Sequence, residues 1–226
     1  MRVLVVAPHA DDETLGVGGT IARYAHEGHD VIVAVMTGHG EEKPHPLWPK
    51  TNWDQVRNEA KEAHALLGVK ETVFQEVPAA MVANEPTWKL NQVTQDVVKD
   101  VKPEVVFVPF LFDLHKDHRE ITHSFSVAWR PCTEFGRRIR QIYMYETQSE
   151  THWNFPYLEQ GFIPNTLVDI SAYLDRKLDA LRCYKSQIRP YPDARSIEAV
   201  EYLAKWRGSQ VSMVAAEGFV LTRYIK

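Results

Sequence analysis

The sequence predicts an α/β fold in one domain spanning residues 1–226, a mainly parallel sheet flanked by helices. Three observations carry this. Uninterrupted, β-branched apolar runs recur at Arg2–Ala7, Val31–Met36 and Val105–Pro109, as in strands covered on both faces. Segments with helical spacing separate them, and strands alternating with helices join in parallel through right-handed crossovers. With 226 residues, 44% hydrophobic and 25% charged, the chain is long and apolar enough to bury one substantial core.

The first strand, Arg2–Ala7, leads through Gly16-Val17-Gly18-Gly19 into a helix over 20–25, with Ile21, Ala22 and Ala25 on one face. A dinucleotide fingerprint would need a glycine at position 21, which is Ile21, so these glycines read as allowing close packing of a helix on the sheet. Val31–Met36 is the second strand, closed by Thr37-Gly38-His39-Gly40, and the polar stretch Glu41–Lys50 reads as a long loop beside the site. A helix over Trp53–Leu67 presents Val56, Ala60, Ala63 and Leu67 and stops at Gly68. A strand follows at Thr72–Phe74, then a helix through Leu90, Val93, Val97 and Val101 that Pro103 breaks, then the strand Val105–Pro109. Ile142–Tyr145 and Thr166–Val168 are short strands, Tyr173–Tyr184 and Ile197–Trp206 helices, and Gly218–Leu221 a last strand or a docked extended segment. This order gives a Rossmann-like architecture.

Composition excludes several roles. A net charge of −4 argues against nucleic acid as partner, and Arg137-Arg138-Ile139-Arg140 is too short a basic run to reverse that. The chain starts directly in a strand without a signal-peptide pattern, and no apolar stretch is long enough to span a membrane, so a cytoplasmic protein is expected. Cys132 and Cys183 are too few for a disulfide framework or a cysteine metal site, so any metal must rest on His, Asp and Glu.

Two predicted strands end in such residues: Pro8-His9-Ala10-Asp11-Asp12-Glu13 and Asp113-Leu114-His115-Lys116-Asp117-His118. Ligands of open α/β sheets collect beyond the carboxyl ends of strands, and so many ionisable groups there would desolvate or repel one another without a cation. Zinc favours four-coordinate sites of His nitrogen and carboxylate oxygen, with one position left for water. His9 and Asp12 offer two ligands and His115 or His118 a third, leaving neighbours free for proton transfer. The competing reading is helix capping, with Asp12 or Glu13 at a helix start and Asp117 with Glu120 as a capping box.

The first cluster resembles the His-Pro-Asp-Asp-Glu signature, and His115-Lys116-Asp117-His118 the His-x-Asp-His signature, of the LmbE/PIG-L zinc-dependent N-acetylglucosaminyl deacetylases. Val56-Arg57-Asn58-Glu59-Ala60, Asp169-Ile170-Ser171-Ala172-Tyr173-Leu174, Tyr184-Lys185-Ser186-Gln187 and Ala216-Glu217-Gly218-Phe219 resemble further family segments in the same order. The resemblance implies a deacetylase domain over 1–226 like those of the bacterial bacillithiol and mycothiol pathways. It implies zinc on His9, Asp12 and His118, Asp11 as general base, and His115 as the group that stabilises the oxyanion or protonates the leaving amine. Asp117 would orient a histidine, and Arg57 would reach toward the substrate's polar or anionic part. Ala10 replaces the family's usual proline.

The implied reaction is attack of zinc-bound water on the acetamide of an amino sugar or glycoconjugate. Zinc suits it because it polarises a poor amide electrophile and lowers the pKa of bound water to about 7. Iron is an alternative metal for a His/Asp site. The resemblance also implies a homo-oligomer, a trimer or hexamer. The rival functions are a zinc amidase acting on another N-acylated small molecule and a nucleotide-binding module without hydrolysis. His39, the Trp48 and Trp53 pair, Glu146, Lys185 and Glu217 remain candidates for either the pocket wall or the packing.

Overall fold

The computed structural model describes residues 1–40 and 45–226. Seven strands form one sheet in the order β3-β2-β1-β4-β5-β7-β6. They are β1 (Arg2–Ala7), β2 (Asp30–Gly38), β3 (Glu71–Pro78), β4 (Val105–Pro109), β5 (Gln141–Tyr145), β6 (Thr166–Asp169) and β7 (Ala216–Tyr224). The helices are α1 (Asp12–His26), α2 (Lys50–Leu67), α3 (Thr87–Val101), α4 (Lys116–Ala128), α5 (Gln148–Thr151), α6 (Leu174–Cys183) and α7 (Ile197–Ser209).

Strands β3 to β5 of this order run parallel, while β7 is antiparallel to both β5 and β6. The mainly parallel expectation therefore holds for the part that carries the site. Side chains alternate across the strands, so Val3, Val5, Val33 and Phe107 pack on the side of α1, α2, α6 and α7. Leu4, Val6, Ile32, Val106 and Val108 pack on the other side, under α3 and α4. Burial on both faces is why β1 and β4 read as continuous apolar runs.

Helix α1 starts eight residues before the predicted 20–25 segment and contains the glycines read as its approach. A Cβ on Gly16 would lie 2.3 Å from Tyr145 Cδ2, and one on Gly19 2.7 Å from Ile170 Cδ1. Close packing on the sheet thus overrides the poor helix propensity of glycine. Glu217 on β7 accepts from the amides of Gly19 and Thr20 (2.9 and 2.7 Å), while Lys177 Nζ donates to Leu15 O (2.7 Å) and to Glu217 Oε1 (2.6 Å). Gly68 ends α2 at φ 79, the left-handed conformation that a glycine stop supplies. Of the predicted loop Glu41–Lys50, positions 41–44 lie outside the described residues, and the remainder leads from His45 into α2. Among the described residues, no helix is long and apolar enough to cross a membrane.

Candidate metal centre

Strands β1 and β4 are parallel neighbours, with Val3, Leu4 and Val5 facing Val105, Val106 and Phe107. Their carboxyl ends therefore open on the same edge, and the two His/Asp clusters, about a hundred residues apart in sequence, meet there. Ligand-capable atoms of His9, Asp12 and His118 all lie within 4.8 Å of one another, as do those of His9, His115 and Asp117. Asp12 Oδ2 is 3.3 Å from His9 Nδ1 and 3.2 Å from His118 Nε2.

The two groups differ in what they leave unmet. Asp117 is spent: its Oδ2 accepts from Ala80 N (2.6 Å) and meets His9 Nε2 (3.1 Å), and its Oδ1 accepts from Val82 N (3.3 Å). By contrast, Asp12 Oδ1 and His118 Nε2 are buried without a hydrogen-bond partner among the described residues. Buried polar atoms without partners are costly, and two in one pocket fit a divalent cation. The set with that demand is His9, Asp12 and His118, two nitrogens and a carboxylate oxygen, a donor set that suits zinc or iron.

Each of the three is oriented from behind. His118 Nδ1 lies 2.8 Å from Asp113 Oδ2, and Thr151 Oγ1 donates to Asp113 Oδ1 at 2.6 Å. His9 is turned by Asp117, and its own backbone N–H donates to Asp12 Oδ2 at 2.8 Å. Burial by itself would lower His9, but Asp117 and Asp12 carry it up to about 9. His118 is likewise raised, against burial, by Asp12 and Asp113, and Asp12 is held well below the carboxylate range by His118 and His9. The pocket stabilises positive charge, whether protons or a metal supply it.

Asp11 sits between β1 and α1 at φ 137, a conformation rare for an L residue. Such backbone strain gathers at functional sites. It is held there by bonds from Thr14 N and Leu15 N to its carbonyl (3.0 and 2.9 Å) and from its own N–H to Glu13 Oε2 (3.2 Å). Its Oδ2 is buried without a hydrogen bond among the described residues, 3.6 Å from Arg195 Nη1. Burial pushes the carboxyl up to about 7, against the opposing pull of Arg195.

His115 is the residue that caps α4: its Nδ1 accepts from Asp117 N at 3.1 Å. The predicted Asp117–Glu120 capping box does not form, because the Asp117 carboxylate is turned to His9, Ala80 and Val82. Accepting at Nδ1 puts the ring proton of neutral His115 on Nε2. Burial, then the charge on His9, lowers His115 to about 4.

Arg57 is not brought to this group. Its Nη2 is 2.6 Å from Glu76 Oε1 and donates to Gln75 O (3.1 Å), and the guanidinium lies 5.2 Å from the Phe74 ring centroid, so β3 takes it up. The arginines at the site are Arg195 and Arg189, which sequence reasoning missed. They follow the motifs by more than seventy residues, in a loop with no local pattern to mark it. Asp113 was seen only as part of a charged run, its partnership with His118 hidden until the chain folds.

Glu13 accepts from Tyr184 OH (2.5 Å) and Thr14 Oγ1 (2.6 Å) and meets His64 Nε2 (3.2 Å), so it braces the loop from below. Glu146 is taken by Arg207 Nε and Nη2 (2.8 and 2.6 Å) and His152 Nε2 (2.9 Å). His39 Nε2 accepts from His45 N (3.1 Å) and lines a neighbouring cavity. A cavity of about 480 Å³ opens over His9, Asp11 and His115. Trp48 and Trp53 line it, packed edge to face at 6.0 Å, and Trp53 Nε1 is buried without a hydrogen-bond partner among the described residues.

The family model described as PIG-L, GlcNAc-PI de-N-acetylase, matches residues 4–129. The chain is 25% identical over 219 residues to the probable N-acetyl-alpha-D-glucosaminyl L-malate deacetylase 2 of Bacillus anthracis, covering 90% of this chain and 92% of that one. It is 29% identical over 266 residues to a 1D-myo-inositol 2-acetamido-2-deoxy-alpha-D-glucopyranoside deacetylase of Saccharomonospora viridis, covering 98% and 95%. Among solved structures, a conserved protein of Thermus thermophilus, TT1542, superposes with a TM-score of 0.77 at 26% identity, covering 100% of this chain and 96% of that one.

Proposed function

This chain belongs to the PIG-L family of de-N-acetylases, and from that premise we propose that it is a metal-dependent hydrolase removing acetyl from an N-acetylglucosamine-type amino sugar or glycoconjugate. The observation that carries the reading is the pair of buried atoms Asp12 Oδ1 and His118 Nε2, without a hydrogen-bond partner among the described residues, beside an Asp11 carboxylate oxygen that accepts no hydrogen bond from them and has Arg195 Nη1 at 3.6 Å.

His9, Asp12 and His118 would hold the ion, with zinc the best match to the donor set. Bound there, it supplies Lewis acidity that polarises the amide carbonyl and acidifies water. Asp11 takes the proton of the attacking water and passes it to the departing amine, a task suited to a carboxyl raised toward neutrality. His115 stays neutral and donates its Nε2–H to the carbonyl oxygen as negative charge develops. Asp117 and Asp113 hold the His9 and His118 rings in place. Trp48 and Trp53 offer ring faces and an indole N–H to a sugar. The products are acetate and the free amino sugar.

Zinc-loaded protein incubated with a panel of N-acetylglucosamine conjugates should release a titratable amine and acetate in equal amounts, and a chelator should stop it. Wild-type rates in metal-replete Asp11→Ala would sink the assignment. A homo-oligomer, trimer or hexamer, goes with the reading. It is supported by the exposed apolar stretch Trp153, Phe155, Tyr157, Leu158 and Ile163, and light scattering tests it.

A further inference from the structure

Asp11 is held by its main chain. Its buried Oδ2 accepts no hydrogen bond among the described residues, whereas its peptide is tied on both sides. On the carbonyl side Thr14 N and Leu15 N donate to it (3.0 and 2.9 Å), as amides at a helix start do. On the amide side the acceptor is a side chain, Glu13 Oε2 at 3.2 Å. A non-glycine residue at φ 137 persists only where its surroundings over-determine it, so the Glu13 bond is a condition of the place Asp11 occupies.

Glu13 is in turn fixed by residues far along the chain. Its Oε1 accepts from Thr14 Oγ1 (2.6 Å) and Tyr184 OH (2.5 Å), and His64 Nε2 lies 3.2 Å from it. A carboxyl that accepts at both oxygens has no proton to offer, so His64 donates from Nε2. In the neutral ring, Nδ1 then accepts from Thr72 Oγ1 on β3 at 2.7 Å, which fixes that tautomer. His64 stands in the last turn of α2 and Tyr184 just past α6, both buried, and neither lines the cavity over the metal centre. Three elements that touch no substrate thus converge on one carboxylate behind Asp11.

We propose that His64 and Tyr184 are positioning residues for the reaction, acting through Glu13 on the backbone of Asp11. The proposal rests on the deacetylase reading, in which Asp11 takes the proton of the attacking water. A base works only within hydrogen-bond reach of its proton, so a small displacement is costly even when its cause lies outside the site. A buried carboxylate that loses one donor turns toward those that remain. Glu13 Oε2 then leaves the Asp11 N–H, and the strained peptide relaxes. Asp12 is held separately, by His9 N at 2.8 Å and beside His118 Nε2 at 3.2 Å, so the metal ligands keep their places while the base shifts. The signature is a loss in kcat with KM and metal affinity retained.

Acetate release from the best conjugate of the panel and zinc affinity are measured on the full chain for wild type, His64→Leu, His64→Gln and Tyr184→Phe. His64→Leu and Tyr184→Phe should lower kcat about 10- to 100-fold, with KM and zinc affinity within about three-fold of wild type. His64→Gln, whose amide nitrogen donates from the place of Nε2, should restore most of kcat. Exchange of the Asp11 amide proton, followed by NMR, reads the brace without turnover. Its protection should fall about ten-fold or more in His64→Leu and Tyr184→Phe and return in His64→Gln. Should His64→Leu not fold, Tyr184→Phe, which removes one oxygen and keeps the ring, carries both measurements. Wild-type kcat in these variants, a loss shared with zinc affinity and not restored by glutamine, or an Asp11 amide as protected as in wild type overturns the proposal. A wild type that yields no acetate, with protection lost as expected in the variants, keeps the brace and removes the deacetylase reading. Acetate release that the variants leave unchanged does the reverse.

Discussion

Asp113 Oδ2 and His118 Nδ1 lie 2.8 Å apart with both side chains wholly buried, so one nitrogen of the ring is spent on orientation and the other is left facing Asp12. Thr151 Oγ1 donates to the second Asp113 oxygen, which fixes the carboxylate as well. Asp113→Ala should weaken metal binding about 10- to 100-fold, the usual cost of losing a residue that orients a metal-binding histidine. Competition with a chromogenic chelator measures it, and an unchanged affinity would refute the orienting role.

Metal removal should lower thermal stability without unfolding the protein, since both faces of the sheet carry an apolar core that does not depend on the ion. An ion that binds only the folded state adds about 2.7 kcal/mol at a free concentration one hundred times its dissociation constant. Scanning calorimetry of the chelated protein with stepwise added zinc should show a rising Tm. His118→Ala should abolish that response, and a response that persisted would place the ion elsewhere.

His115 is expected to act as a neutral donor. Burial and the charge on His9 lower it to about 4, and Asp117 N–H already occupies its Nδ1. His115→Ala should reduce kcat about 10²- to 10³-fold, as loss of one oxyanion donor does, with little change in KM. The pH–rate profile should contain no limb near neutrality that disappears in this variant. If such a limb exists, His115 is a proton donor instead.

Glu146 sets part of the acid stability. Burial alone would raise its carboxyl, but His152 and Arg207 hold it below the ordinary glutamate range. A depressed folded-state value contributes stability above the unfolded value of about 4.3, and that contribution is lost as pH falls through the folded value. Glu146→Gln leaves the buried Arg207 guanidinium without its charge partner, at a cost of about 3–5 kcal/mol at pH 7. Urea unfolding of both proteins should show the gap at neutrality and its narrowing below about pH 4. A gap that is constant with pH would mean the loss is one of shape, not charge.

Gly16→Ala tests the fit of α1 to the sheet. Its Cβ would meet Tyr145 Cδ2 at 2.3 Å and Glu146 O at 2.8 Å, so overpacking should cost about 1–3 kcal/mol despite alanine's better helix propensity. A more stable variant in denaturant titration would show that α1 can move away.

The parallel strands and their order in the chain were legible because β1, β2 and β4 are buried on both faces, which forces unbroken apolar runs. The start of α1 was not, since three glycines within it argue locally against a helix and only their contacts with Tyr145, Lys177 and Ile170 explain them. The capping box at Asp117 and Glu120 was a sound local pattern that lost to longer-range partners, His9 and the amides of Ala80 and Val82.

The sheet's parallel core and the two His/Asp clusters at its strand ends could be read from the chain alone, because burial and motif spacing are written in neighbouring residues. The tertiary structure decided which members of those clusters meet, that Asp113 stands behind His118, that Arg57 turns to Glu76, and that Arg189 and Arg195 face the cavity. Those pairings join residues far apart in the chain, and a side chain's partner is settled by which groups the packed sheet brings within hydrogen-bond reach.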